Sequence, residues 1–67
     1  MRPHEERVIE EKRQLDDKIA KLSEFGKGEI FASLPAEEQG RLNRQHSIME
    51  TYSDILSERI ASFPSDN

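Results

Sequence analysis

The strongest constraint in this chain is a spacing. Leu42, His46, Met49, Ser53, Leu56, Ile60 and Phe63 recur at alternating steps of four and three. That is a heptad seam held over three repeats, and it predicts a long amphipathic helix with one face against another helix. Ile48, Tyr52 and Ile55 widen the apolar stripe on one flank, beyond what a single antiparallel neighbour covers. This flank is the candidate self-association surface.

The first half carries a weaker stripe. Val8, Leu15, Ile19 and Leu22 lie at spacings of seven, four and three, with Lys12 on the one polar step. Pro3 suits a first helical turn, and Glu5 and Glu6 follow where the helix dipole favours negative charge. We therefore expect helix 1 over about 3–25 and helix 2 over about 35–63, the latter opening on Pro35 at its first helical position with Glu37 and Glu38 behind it. Arg13 with Asp17 and Glu37 with Arg41 are expected to pair at four-residue spacing.

The connection, 26–34, starts at Gly26-Lys27-Gly28, where a glycine in the left-handed conformation is expected to stop helix 1. Ile30, Phe31 and Leu34 are too apolar for a free loop. A short helical turn folding back to plug the end of the hairpin is expected there. Pro64 ends helix 2 and leaves a frayed tail over 64–67. The fold class is all-α: one domain, a two-helix antiparallel hairpin with a short helical turn in its connection.

Sixty-seven residues, a third of them apolar, leave little for a private core. Cysteine is absent from the sequence, so neither disulfides nor thiolate zinc sites make up the difference. Association with further copies into a homo-oligomeric bundle is the expected stabiliser. Fourteen acids against ten bases give a net charge of −4, which disfavours nucleic acid and anionic membranes. No apolar run reaches the roughly 20 residues of a membrane span, and Met1 to Glu6 lacks the order of a signal peptide, so a cytoplasmic protein is expected.

No nucleophile elbow, phosphate loop, dinucleotide fingerprint or zinc spacing is present. We expect no enzyme and no cofactor. His4 and His46 stand apart without metal-ligand spacing, and the clusters Glu5-Glu6, Glu10-Glu11 and Asp16-Asp17 alternate with bases as on a solvated helix face. Lys12, His46 and Ser53 put polar groups on apolar seams, where such groups commonly set register and oligomer state. Tyr52 and Arg59, seven apart on one side of helix 2, together with Gln45, offer a different use: an aromatic face to stack a base, a guanidinium for phosphate and an amide to read an edge.

Taken together, Arg7-Val8, Glu11-Lys12, Leu15-Asp16, Leu22 and Phe25, then Phe31, Leu34, Gln45, Met49, Tyr52, Leu56, Arg59-Ile60 and Phe63, resemble a known pattern. It is that of small helical-hairpin proteins of tailed phages and prophages described as related to a crAss-like phage protein, and it runs from about Arg7 to Phe63. In size and plan those proteins are similar to the oligomeric sponges with which phages sequester nucleotide signals of CBASS and Thoeris defence. The resemblance implies a non-enzymatic phage accessory protein that binds a cyclic nucleotide or cyclic ADP-ribose derivative between subunits, in the host cytoplasm. Arg7, Lys12, Arg44 and Arg59 would then neutralise phosphates, Tyr52 stack a base and Gln45 read an edge. The alternative is an acidic interaction module that binds, inhibits or bridges a host protein through the negative face of helix 1.

Overall fold

Pro3 opens α1 (Pro3–Phe25), whose first turn is closed by Glu5: its carboxylate accepts the backbone N–H of Arg2 at 2.9 Å. That satisfies one of the donors a helix start leaves unpaired, and Glu5 itself is buried by the arrangement. Helix α2 (Glu29–Ser33) is a single short element, and α3 (Ala36–Ala61) returns antiparallel along α1. The structure is a computed structural model describing residues 1–64, and among these the ordered elements are all helical. Its Cα envelope, 53 × 14 × 14 Å, is that of one rod two helices thick. Ser65, Asp66 and Asn67, assigned to the tail, lie outside the described residues.

The core is thin. Val8 and Leu15 of α1 close on Leu56 of α3, and Ile19, Met49, Ile60 and Phe63 pack partly buried around them. Leu56, Met49 and Ile60 of α3, and Phe63 just beyond its end, all belong to the heptad seam, so the periodicity did place the face that α1 covers. Among the described residues only Leu56 is sealed completely, at 0% exposure. Two helices touching along one line leave most seam positions at the edge of the contact.

Several local expectations are corrected. No described glycine has positive φ: Gly26 is right-handed (φ −66°, ψ −15°), so α1 does not stop through a left-handed cap. Instead its end tightens. Lys27 N–H donates to Glu24 O and Gly28 N–H to Phe25 O, three-residue closures that satisfy terminal carbonyls without a left-handed residue. Gly28, extended at ψ 173°, then turns the chain away. Pro35 is the cap of α3 and not its first helical residue, because its own ψ of 147° is extended while its carbonyl accepts the N–H groups of Glu38 and Gln39.

The expected ion pairs of Arg13 and Arg41 also change partner, from a spacing of four to one of three. Arg13 binds Glu10, Arg41 binds Glu38 at 2.8 Å, and Asp17 goes to Lys21. Positions three apart are as near on a helix as positions four apart, so the pattern of acids alone does not choose.

In the connection Phe31 and Leu34 are half-buried and Phe31 meets Phe25 edge to face at 6.2 Å, whereas Ile30 points outward at 67% exposure and plugs nothing. Gln39 pins this segment from α3, its amide nitrogen donating to the carbonyls of Phe31 and Leu34 at 3.1 and 2.9 Å.

Candidate functional site

The two flanks of the hairpin differ in chemistry. On one, Lys12 of α1 reaches Ser53 of α3 at 3.0 Å and Asp16 at 2.6 Å, and the Ser53 hydroxyl donates to Asp16 at 2.5 Å. The three groups form a closed network across the helix interface. The hydrogen bond from Lys12, followed by that from Ser53, holds the Asp16 carboxyl below its ordinary value of 3.8. Lys12 is thus already neutralised within the chain. It stands apart from the other proposed phosphate-binding residues.

The opposite flank begins one residue away. At about 100° per residue, Tyr52 faces the other side of the core line from Ser53. Arg41, Gln45, Ile48, Tyr52, Ile55 and Arg59 follow one another at steps of four, three, four, three and four, a second seam lying one residue before the buried one. Its apolar members are uncovered: Ile48 is 69% exposed, Tyr52 41% and Ile55 48%. A base stands at each end. Among the described residues no ion pair engages Arg44 or Arg59, while Arg41 is shared with Glu38.

Arg7 joins this flank from α1. The Lys12–Ser53 contact fixes the antiparallel register, and five residues before Lys12 lies level with five residues after Ser53, which puts Arg7 beside the turn of Glu58 and Arg59. It too is exposed and has no ion pair among the described residues. Of the six residues proposed from the sequence, four lie together on or beside the outer seam of α3, Arg7 flanks them, and Lys12 does not.

A hollow of about 350 Å³ opens on this flank between Arg41, Arg44, Gln45, Ile48 and Met49. Its volume falls in the range of small-molecule sites, but one wall is solvent. Ile48 and Arg41 line this hollow without being among the site residues expected from the sequence; the four-and-three spacing from Gln45 through Tyr52 to Arg59 is the signal that points to them.

A second cavity, about 210 Å³, sits at the closed end of the hairpin, lined by Ser23, Lys27, Phe31, Asn43 and His46 among others. Its histidine is occupied on both sides, by Ser23 Oγ at 3.3 Å and Glu50 at 3.2 Å. The space is smaller than a nucleotide site requires. Among the described residues no group of His, Asp and Glu is arranged to hold a metal ion, and no helix is long and apolar enough to cross a membrane.

The family model described as Sequestin matches residues 2–62, which takes in both long helices and the connection between them. The chain belongs to the Sequestin family. The name denotes sequestering, and in that respect agrees with the role implied by the resemblance to phage sponges. The Sequestin match also covers every residue of the outer seam, from Arg41 to Arg59. Among curated proteins and among solved structures the chain has no significant match.

Proposed function

We propose that this Sequestin is a non-enzymatic phage accessory protein that self-associates and withholds a nucleotide-derived immune signal of the cyclic nucleotide or cyclic ADP-ribose type. One observation carries the ligand class: a half-exposed tyrosine shares one flank of α3 with Arg44 and Arg59, neither of which has an ion pair among the described residues. Tyr52 offers a face for a base, and Arg59 follows two turns later, about 10.5 Å along the axis. The long arginine stem and the reach of a nucleotide from base to phosphate cover that span together. Gln45, whose amide makes only a 4.0 Å approach to the Met49 sulfur, is free to read a base edge.

Binding here needs no bond to be made or broken. Charge-assisted hydrogen bonds from guanidinium to phosphate and stacking on a phenol ring hold such a ligand, and withholding it removes the signal by mass action. Arg7 adds a further positive charge at the Arg59 end.

Native mass spectrometry of the protein purified from phage-challenged, defence-proficient cells tests this reading. An oligomer carrying extra mass in the nucleotide range supports it, with Tyr52→Ala and Arg59→Ala losing that mass while keeping the oligomer. Both variants retaining the ligand as the parent does would remove the assigned site. An empty protein that instead recovers a stoichiometric host protein would replace the sponge with an interaction module.

A further inference from the structure

Ser23, His46 and Glu50 form a chain of contacts between the two long helices that the nucleotide reading leaves unused. Ser23 Oγ lies 3.3 Å from His46 Nε2, and His46 Nδ1 lies 3.2 Å from a carboxylate oxygen of Glu50, one turn further along α3. A carboxylate only accepts, so the ring proton sits on Nδ1. In the neutral ring Nε2 is then bare and accepts the proton of the Ser23 hydroxyl. Hydroxyl, base and orienting carboxylate thus stand in the order that activates a serine for attack on a carbonyl. The 3.3 Å separation is that of such a pair before a substrate tightens it.

The serine and the histidine both line the cavity of about 210 Å³ at the closed end of the hairpin. Phe31 gives that space an apolar surface, and Asn43 and Lys27 bring N–H donors to it. No side-chain hydrogen bond engages the Asn43 amide among the described residues, and Lys27 makes a long 3.8 Å approach to Glu24. Such donors suit the oxygen on which negative charge gathers as a carbonyl is attacked. A cavity of this order takes a ligand of benzene's dimensions, which limits the acyl donor to a short chain or a single ring.

We propose that Ser23 is an activated nucleophile that takes an acyl group from small activated esters, with His46 as its base and Glu50 as the residue that positions that base. The Ser23 oxygen bonds to the carbonyl carbon while its proton passes to His46 Nε2. The bond from that carbon to the leaving oxygen then breaks, and the leaving group departs with the electron pair and takes the proton from Nε2. An ester on Ser23 remains. Acylation marks the chain itself and uses none of the residues assigned to the nucleotide, so it stands or falls apart from the sequestering reading.

The probe is p-nitrophenyl acetate, added to the full chain, with acetylated positions located by peptide mass spectrometry after an acid quench. Ser57, exposed on α3 and without a side-chain hydrogen bond among the described residues, is the internal reference. Ser23 should acquire acetyl ester about 100-fold faster than Ser57, the low end of general-base assistance, because Glu50 is more than half exposed. His46→Gln keeps an amide able to bond both Ser23 and Glu50 but cannot take up a proton. It should lower Ser23 to the rate of Ser57 while the circular dichroism stays parental. A parent in which Ser23 reacts no faster than Ser57, or a His46→Gln variant that reacts as the parent does, overturns the activated serine.

The positioning role has its own readout. Nitrogen-15 NMR of the neutral His46 ring should report the proton on Nδ1 in the parent and a mixture of tautomers in Glu50→Ala, with Ser23 acetylation falling in step. A parent ring protonated on Nε2, or a tautomer that Glu50→Ala leaves unchanged, overturns the assignment of Glu50.

Discussion

Ser53 of α3 donates its hydroxyl proton to Asp16 of α1 across 2.5 Å, joining residues 37 positions apart, and Lys12 closes the triangle from the same helix as Asp16. This is the polar lock of the hairpin. It fixes the register of α1 on α3, and with it the level of Arg7 along the hairpin, near that of Arg59.

The lock has a pH signature. Because the folded-state pKa of Asp16 is depressed, its contribution is fully present above its ordinary value of 3.8 and is lost as pH falls through the lower folded value. Asp16→Asn should therefore flatten the dependence of the urea midpoint on pH on the acid side of 3.8, relative to the parent. Glu10, held at about 2 chiefly by its hydrogen bonds from Arg13, works in the same direction, so some acid sensitivity remains in the variant.

Lys12 separates structure from binding. Lys12→Met removes a donor to both Asp16 and Ser53 and should lower stability by about 1 kcal/mol in urea denaturation, in the range of a lost hydrogen bond. Nucleotide affinity, measured under conditions where the variant is folded, should stay at the parent value. A loss of affinity as large as that of Arg59→Ala would return Lys12 to the site.

Leu56 carries the core. Sealed from solvent between Val8 and Leu15, it should cost about 2–5 kcal/mol when truncated to alanine, enough to unfold much of a protein with so few buried side chains. Circular dichroism at 222 nm reads the outcome. Retention of parental helicity and midpoint would mean that stability resides mainly in contacts between chains.

Gln39 holds the connection. Its amide donates to the carbonyls of Phe31 and Leu34, so Gln39→Ala should speed hydrogen exchange in 29–34 and cost about 1 kcal/mol, while the middle of α1 keeps its protection. Uniform loss of protection along the chain would show that the connection does not open on its own.

Gly40 is a place to gain stability. A Cβ built there meets nothing within 4 Å, and the residue lies inside α3. Gly40→Ala should raise unfolding free energy by about 1 kcal/mol, the usual helix-propensity difference. An unchanged or lower urea midpoint would point to a neighbouring copy pressed against that position.

Most of the fold was legible because helical periodicity and its punctuation are local. The seam from Leu42 to Phe63 identified the face that α1 covers, and Ile30, Phe31 and Leu34 announced a helical turn in the connection, though not that Ile30 would face outward. Charge pairing was less legible: Arg13 and Arg41 each had acids at two suitable distances and chose the nearer. The end of α1 was misread because glycine permits a left-handed cap without requiring one.

By itself, the sequence determined which residues lie on each helical face, since spacing of three and four is a property of the chain alone. That was enough to group Arg44, Gln45, Tyr52 and Arg59. Only the tertiary structure decided that Lys12 belongs to the opposite flank, where Asp16 and Ser53 neutralise it, and that Arg7 stands level with Arg59. Those are relations between two helices, and their register is set by side-chain contacts across the interface, which no periodicity within either helix encodes.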